Sequence, residues 1–266
     1  MNEQTTSDRI RITTIAQLAK GEAWRLEKLH HYDHDLLLWI TRGQGRANLQ
    51  GMRRGIGTHN AIYLPAQTLH ALDLGQQGFG LAVTLPHGAG LGFPDEMTHL
   101  RIRDVQAQGE ITGIVEAMQR ETDGGRPFAR EAMRAEAALM SVWMRRQMIN
   151  MDPPGKPSGA QRLVEAFTAL VAREYRSGKT MAEYAAMLGV TPTHLTRTCK
   201  ECCDMTAAEI LTERTLYAAR DLIERSKMPF QVIAAELGFG SAAYFTRFVQ
   251  SHTGTTPSES RRRHRK

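Results

Sequence analysis

Two short segments of the chain each begin with a hydroxyl residue and end with an arginine. They read T-P-T-H-L-T-R from Thr191 to Arg197 and S-A-A-Y-F-T-R from Ser241 to Arg247. A serine or threonine caps the start of a helix well, because its oxygen accepts a hydrogen bond from a free backbone N–H group. Each arginine then lies on the outward face of its helix, where it can donate two hydrogen bonds to one guanine base. The chemistry that these segments predict is the recognition of bases in DNA.

The spacing of the three cysteines raises the question of whether they bind a metal ion. Cys199, Cys202 and Cys203 form the motif C-x-x-C-C. A structural zinc ion needs four ligands, and neither a second cysteine pair nor a histidine pair follows the motif. We therefore interpret the cysteines as core residues, and the sequence predicts neither a metal ion nor another cofactor.

The residues before Ser241 indicate a supporting helix. Apolar residues recur at helical spacing from Val232 to Leu237, and Gly238 can end that helix because glycine readily adopts a left-handed conformation. Two short helices joined by a glycine turn are typical of a helix-turn-helix, provided that the outer face of the second is slim enough to enter a groove. The bulky residues of the second helix that we expect to point inward are Phe245, Phe248 and Val249.

Four motifs occur in order near the end of the chain: A-A-R-D-L-I, I-A-A-E-L-G-F, S-A-A-Y-F-T-R-F and T-G-T-T-P. Together they closely resemble the signature of AraC/XylS-type transcriptional regulators. The resemblance implies a protein that binds DNA sequence-specifically, alters transcription and is not an enzyme, with RNA polymerase as a candidate partner. It also implies that a first helix-turn-helix unit lies upstream.

A first unit is found where the resemblance implies it. Thr180 and Glu183 match the capping-box pattern, in which each residue satisfies a backbone N–H group of the other. The expected supporting helix runs over Thr180–Leu188, and Gly189 ends it. Three residues depart from the family pattern. They are Cys199 and Ser260, where aromatic residues are usual, and Asp204, where glycine is usual.

We expect DNA contacts from the outward residues of both recognition helices, since the resemblance implies base or phosphate contacts at those positions. They are Thr193, His194, Thr196, Arg197, Lys200, Ser241, Ala242, Ala243, Thr246 and Arg247.

A long helix from about Thr206 to about Ser226 is predicted between the two units. Thr206 and Glu209 form another capping box, and at 1.5 Å per residue this helix spans roughly 30 Å. One turn of B-DNA advances about 34 Å, so we expect the recognition helices to enter successive major grooves.

The net charge of +6 is concentrated in the C-terminal part of the chain. Residues 158–266 contain 16 basic and 11 acidic side chains, whereas residues 1–157 contain 18 and 17. Such an excess favours contacts with DNA phosphates; the alternative is a solvated basic tail. The tail residues are Arg261, Arg262, Arg263, Arg265 and Lys266.

Short apolar runs separated by glycine from about Trp24 to about Thr84 predict an antiparallel β-barrel or sandwich. With the helical C-terminal part, this gives a two-domain α+β fold. The order His34, L-L-L-W-I, G-Q-G, Y-L-P and His70 is similar to the cupin-like sensor domain found in this family of regulators.

The histidines do not match the metal site of a cupin enzyme. His31 and His34 are three residues apart, so on a strand they face opposite sides, and no carboxylate stands at the glutamate position. We expect the barrel to bind a small organic effector instead. Two alternatives remain: a vestigial barrel without a ligand, and a metal-dependent cupin enzyme fused to a DNA-binding module. The residues expected to line the barrel interior are His34, Trp39, Arg46, Tyr63 and His70.

The predicted domains are a sensing and dimerisation domain over residues 1–150, a linker over 151–159 and a DNA-binding domain over 160–266. Two helices from about Glu110 to Asn150 carry apolar residues at helical spacing, including Met133 and Met140, which could form a homodimer interface or pack on the chain's own sensor domain. The chain lacks a signal-peptide pattern and a long apolar run, so we expect it in the cytoplasm and not in a membrane.

Overall fold

The computed structural model describes residues 9–150 and 155–264. The first of these ranges contains all the strands, and the second is entirely helical, which confirms the predicted α+β architecture. The strands are β1 (Arg11–Thr14), β2 (Asp35–Arg42), β3 (Gln44–Leu49), β4 (Met52–Gly57), β5 (Asn60–Leu64), β6 (His70–Asp73), β7 (Phe79–Leu85) and β8 (Thr98–Arg101). The helices of this half are α1 (Ile15–Leu18), α2 (Trp24–Glu27), α3 (Val105–Gly124) and α4 (Ala129–Ile149).

The eight strands form two antiparallel sheets. One sheet has the order β1-β7-β2-β5-β8 and the other the order β4-β3-β6. Strand β2 pairs with both β5 and β7, with Leu38 opposite Ile62 on one side and Ala82 on the other. The most apolar strand therefore lies in the middle of the larger sheet, as its uninterrupted hydrophobic run requires.

The two faces of β2 contact different hydrophobic clusters, because successive side chains on a strand point in opposite directions. One face lies between the two sheets, where apolar side chains fill the interior. They include Leu36, Leu38, Ile40, Leu49, Ile56, Ile62, Leu64 and Leu72. The other face, with Leu37 and Trp39, packs against α3 and α4.

The methionine stripe of α4 packs within the N-terminal half of the chain. Met133, Met140 and Met144 are buried against α3 and the larger sheet, which confirms the packing alternative for these residues. Val105, Leu139 and Ile149 are exposed instead. A dimer contact through these helices stays a prediction.

The C-terminal half contains seven helices in the described residues: α5 (Gly159–Glu174), α6 (Met181–Met187), α7 (Pro192–Cys203), α8 (Ala207–Arg225), α9 (Phe230–Glu236), α10 (Ala242–Thr253) and α11 (Pro257–His264). Helix α5 begins with a capping box formed by Ser158 and Gln161. Among all the described helices, none has the length and apolar character needed to cross a bilayer.

The two halves of the chain share a hydrophobic core. The cluster that holds the C-terminal helices together also includes Leu29, Met52, Leu69 and Ala71 from the N-terminal half. The predicted linker lies partly outside the described residues, and its boundaries stay a prediction. The shared core means that a separated C-terminal piece would expose apolar surface that the whole chain buries.

Candidate nucleic-acid interface

The first helix-turn-helix unit consists of α6 and α7. Its capping box is present, with the Thr180 N–H donating to Glu183 Oε2 at 2.7 Å and the Glu183 N–H donating to Thr180 Oγ1 at 3.3 Å. These hydrogen bonds lower the pKa of Glu183. Gly189 has a φ of +68° in the turn, and Thr191 caps α7 by accepting from the His194 N–H group at 3.2 Å.

Helix α7 presents a polar face to solvent. Leu195 and Cys199 are fully buried on its inner side, while Thr193, His194, Arg197 and Lys200 are exposed and Thr196 is half-buried. The guanidinium of Arg197 lies 3.8 Å from Glu201, one helical turn away. Both side chains of this ion pair are more than half exposed, so the contact is weak and leaves Arg197 free to turn towards DNA.

The second unit consists of α9 and α10. Ser241 caps α10 through a hydrogen bond from the Tyr244 N–H group at 3.1 Å, and Phe245 and Val249 are buried beneath it. On the supporting helix, Ile233, Ala234 and Leu237 face inward, whereas Val232 is 46% exposed. The stripe predicted for α9 is therefore correct except at Val232, because the short helix buries only one narrow side.

The outer face of α10 has the small residues that its sequence predicts. Ser241, Ala243 and Arg247 are exposed, and Ala242 and Thr246 are half-buried. In the described part of the chain, Arg247 has no ion pair or hydrogen bond through its side chain. Tyr244 is 56% exposed on the same helix. It is not among the DNA-contacting residues expected from the sequence, although an aromatic residue next to a cap could contact a base or sugar.

A close backbone contact holds the two units together. Gly238, which ends α9 with a φ of +77°, touches Gly178, which precedes α6 and has a φ of +70°. A Cβ atom on Gly238 would lie only 2.6 Å from the Gly178 nitrogen. Beside this contact, Arg176 and Glu236 form an ion pair at 2.8 Å.

Helix α8 joins the two units, and its first turn shows the predicted capping box of Thr206 and Glu209. Asp204 ends α7 with a φ of +65°. Asp is one of the few residues besides glycine that tolerate this conformation, which explains why it can replace the family's usual glycine.

The basic residues of α11 differ in their roles. Arg261 donates through Nε to the Ile223 carbonyl at 3.1 Å and lies 4.1 Å over the ring of Phe230. It therefore stabilises the fold and is not available for the phosphate contact suggested by the tail's composition. Arg262 and Arg263 are exposed, and Arg265 and Lys266 lie outside the described residues.

The cysteines are part of the helical core. Cys199 and Cys203 are buried, and burial raises the pKa of Cys199 to about 12. The thiolate is the form that binds metals, and this environment disfavours it. The interpretation of these two residues as core residues is confirmed.

Comparison with known proteins identifies the domain to which this geometry belongs. Residues 184–263 match the family model described as "Helix-turn-helix domain". The C-terminal part of the chain therefore contains an AraC-type helix-turn-helix domain.

Several solved structures are similar to this chain. ToxT from Vibrio cholerae O395 is 12% identical, with coverage of 96% of both chains and a TM-score of 0.44. ToxT from V. cholerae strain SCE256 bound to an unsaturated fatty acid is 13% identical, with coverage of 95% of this chain and 91% of that chain and a TM-score of 0.38. The C-terminal domain of AraT, a response regulator from Geobacillus stearothermophilus, is 23% identical, with coverage of 41% and 88% and a TM-score of 0.36. No curated protein sequence matches significantly.

The N-terminal half of the chain contacts α8 through a buried ion-pair network. Arg25 on α2 is only 5% exposed, and its guanidinium donates to Glu22 at 3.0 Å, to Asp221 at 2.9 Å and to Glu224. Nearby, Arg220 of α8 lies 3.8 Å from the centre of the Trp24 ring. These contacts connect α2 directly to the helix that joins the two helix-turn-helix units.

A second group of contacts on α8 involves aromatic and histidine rings. His30 stacks on Tyr217 with ring centres 4.6 Å apart, and His70 lies 4.3 Å from His30. Burial lowers the pKa of His70 to about 4. Buried Arg214 contacts His31 at 3.3 Å and lies 3.8 Å over the ring of Tyr175.

The residues expected to line the barrel interior do not do so together. Trp39 and Tyr63 are buried on the opposite face of the larger sheet, towards α3 and α4. The expectation was wrong for both residues because their strands are apolar on both faces, so the sequence contains no alternation from which to infer the inner face.

The other three expected residues also lie elsewhere. Arg46 is 72% exposed and pairs with Asp73 at 3.4 Å, because its strand neighbours Ala47 and Leu49 take the inner face. His70 is buried against His30 at the contact with α8, and His34 stacks on Tyr32 with ring centres 4.9 Å apart. The five side chains thus form no single site.

Proposed function

We propose that this protein is a sequence-specific transcriptional regulator whose two recognition helices read DNA while its sensor half controls them. The supporting observation is the pair of exposed helices α7 and α10, each with an arginine in the middle of its outer face. A non-enzymatic role is part of this proposal. Contact with RNA polymerase stays a prediction.

Specificity should come from Arg197 and Arg247. A bidentate contact between arginine and guanine contributes about 1–3 kcal/mol of discrimination. We expect Arg197→Ala and Arg247→Ala each to lower affinity for the target site by about tenfold or more, while affinity for random DNA changes little. Competition binding assays with genomic fragments that the protein retains would measure both quantities.

The matched control is Arg262→Ala, because Arg262 is exposed on α11 and is not part of either recognition helix. A phosphate contact contributes alike on every sequence, so this variant should weaken specific and random binding by the same factor. Equal losses for Arg197→Ala on both kinds of DNA would instead make Arg197 a phosphate contact.

Control by the sensor half should act through α8. The Arg25 network and the His30–Tyr217 stack both connect the sensor to this helix, so a change in the sensor can alter how the two units are held. The sequence favours effector binding inside the barrel more than the structure does, because apolar side chains fill that interior. A regulator without a ligand in the barrel therefore remains the alternative.

We also propose that the protein dimerises through the outer face of α4. Leu139 and Ile149 are exposed there at 50% and 82%, and half-buried Val142 lies between them at helical spacing. Replacing Leu139 by glutamate should convert a dimer into a monomer in sedimentation experiments. A dimer that tolerates Leu139→Glu but not a change elsewhere would place the interface on another surface.

A further inference from the structure

A cavity of about 510 Å³ lies on the sensor half, outside the space between the two sheets. The start of β2 and the ends of β5 and β7 form its floor, and the loop of residues 86–95 forms its walls. Its volume lies within the range of about 300–1,000 Å³ that is usual for small-molecule sites. The cavity involves neither the recognition helices nor the contact with α8.

Asp35 is the central polar residue of this cavity and is only 8% exposed. It accepts three hydrogen bonds: from the Tyr63 hydroxyl at 3.0 Å, from the Ala66 N–H group at 2.8 Å and from His87 Nδ1 at 2.8 Å. Two of these bonds use Oδ1, and one uses Oδ2. Because two carboxylate oxygens can accept about four hydrogen bonds, Oδ2 can accept one more.

The neighbours of Asp35 are fixed as donors. Burial, together with the Asp35 carboxylate, raises the pKa of Tyr63, so its hydroxyl keeps its proton and donates. The chain has thus positioned a buried carboxylate with a tyrosine, a backbone amide and a histidine, and this carboxylate lines an open cavity.

The walls supply aromatic and apolar surface together with a second negative charge. Phe93 stacks on Tyr63 with ring centres 5.0 Å apart, and Leu85 and Leu91 add apolar contacts. Asp95 lies at the exposed edge. None of the described residues that line the cavity is a lysine or arginine. A buried carboxylate beside aromatic rings favours a positively charged organic ligand.

We propose that this cavity binds a small aromatic amine in its protonated form. The ammonium group donates to Asp35 Oδ2, and the aromatic ring of the ligand packs beside Phe93. Both interactions need the ligand's charge and its ring at once, so a neutral alcohol or a carboxylate of the same size binds poorly.

Binding at this site can reach the rest of the chain through α4. Arg134 of α4 donates to the Ala89 carbonyl in the cavity loop at 2.8 Å, and α4 is the last element before the C-terminal half. The role of the amine as an effector rests on the proposed regulator function, whereas its binding does not.

Calorimetric titration of the full-length protein, without DNA, tests the proposal. The probes are benzylamine, benzyl alcohol and benzoate at neutral pH and constant ionic strength. We expect only benzylamine to bind. Because no DNA is present, a separate failure of DNA binding would contradict the regulator function and leave this result unaffected.

Two variants locate the site. Asp35→Asn keeps the shape of the side chain and removes its charge, and should weaken benzylamine binding at least about tenfold, which corresponds to about 1.4 kcal/mol. Asp95→Lys introduces an ammonium group at the exposed edge, where no packing is disturbed, and should also prevent binding. Asp73→Asn is the control, since Asp73 lies in a different cleft beside Arg46, and should bind benzylamine as the wild type does.

The proposal is overturned if benzylamine does not bind, or if benzyl alcohol or benzoate binds as tightly. It is equally overturned if folded Asp95→Lys binds benzylamine with unchanged affinity. Should Asp35→Asn not fold, Asp95→Lys alone decides whether this cavity is the site.

Discussion

Gly178 and Gly238 touch through their backbones, although 60 residues separate them in the chain. Each adopts a left-handed conformation, and a Cβ atom on Gly178 would lie 2.7 Å from the Gly238 carbonyl oxygen. The turn of the second helix-turn-helix unit is thereby packed against the segment that leads into the first. The relative position of the two recognition helices thus depends on this contact as well as on α8.

Replacing Gly238 by alanine should push the two units apart. A non-glycine residue in the left-handed region costs roughly 1–2 kcal/mol, and the added Cβ would also overlap the Arg176 carbonyl, 2.5 Å away. We expect urea unfolding to show a loss of at least about 2 kcal/mol, together with loss of specific DNA binding. Gly240→Ala is the control, because a Cβ atom there has no neighbour within 4 Å and the residue has no left-handed φ. Similar effects of both substitutions would mean that the contact does not position the units.

Removal of Arg25 should destabilise the whole chain. Its partner Glu224 has a side chain only 2% exposed, and a buried charge that loses its partner typically costs about 3–5 kcal/mol. We expect Arg25→Met to lower the free energy of unfolding by about 3 kcal/mol. Arg46→Met removes an ion pair whose arginine is 72% exposed and should change stability by less than about 1 kcal/mol. If the two variants were equally stable in urea titrations, the Arg25 network would contribute little.

The contact between His264 and Glu22 should make stability depend on pH. Nε2 of His264 lies 2.7 Å from Glu22 Oε1 and 3.5 Å from Glu224. Burial lowers the pKa of His264, but its hydrogen bonds to Glu22 and to the Ser260 carbonyl and the nearby carboxylates outweigh burial and raise the pKa above 6.5. The stabilisation is therefore fully present below 6.5 and is lost as pH rises through the raised pKa. On the acid side it is lost again as pH falls through the pKa of Glu22, which lies below 4.5.

His264→Gln tests this pH dependence. The variant should be less stable than the wild type at about pH 6, and the two should converge at about pH 9, where a histidine is neutral. His194→Gln is the control, since exposed His194 has no carboxylate partner in the described part of the chain, and its effect should not vary in this way. A difference for His264→Gln that is constant from about pH 6 to about pH 9 would show that charge is not involved.

Local features of the fold were predictable from the sequence, because they depend on residues a few positions apart. The capping boxes of Thr180 with Glu183 and Thr206 with Glu209 are present as predicted, since both partners of each box lie within one helical turn. The exposure of Arg197 and Arg247 follows from helical periodicity in the same way.

Features that depend on contacts between distant segments were not predictable. The run L-L-L-W-I is apolar at every position, so the sequence could not tell which face of β2 would pack on α4, and Trp39 was assigned to the wrong side. The ion pair of Arg25 with Glu224 joins residues 199 positions apart, and nothing in the local sequence of either indicates the other.

The length and rigidity of α8 lead to a prediction about the DNA site. The 19 residues of this helix span about 28 Å at 1.5 Å per residue, which is close to the 34 Å of one turn of B-DNA. Because the glycine contact also limits independent movement of the units, α7 and α10 should enter successive major grooves on one face of the duplex. We expect one chain to protect two short elements centred about ten base pairs apart, and these need not be palindromic because the two helices differ in sequence.

Changing the distance between the two DNA elements distinguishes two helix-turn-helix units that are held rigidly from two units that bind independently. Insertion of five base pairs turns one element to the opposite face of the duplex, and insertion of ten restores its face but moves it about 34 Å further away. A rigid pair of units should lose specific affinity with both insertions, because neither leaves both elements within reach of one chain. Flexibly joined units would tolerate the ten-base-pair insertion better than the five. Footprinting and affinity measurements on the three DNA spacings would distinguish these outcomes, and unchanged affinity on all three would mean that a single unit accounts for binding.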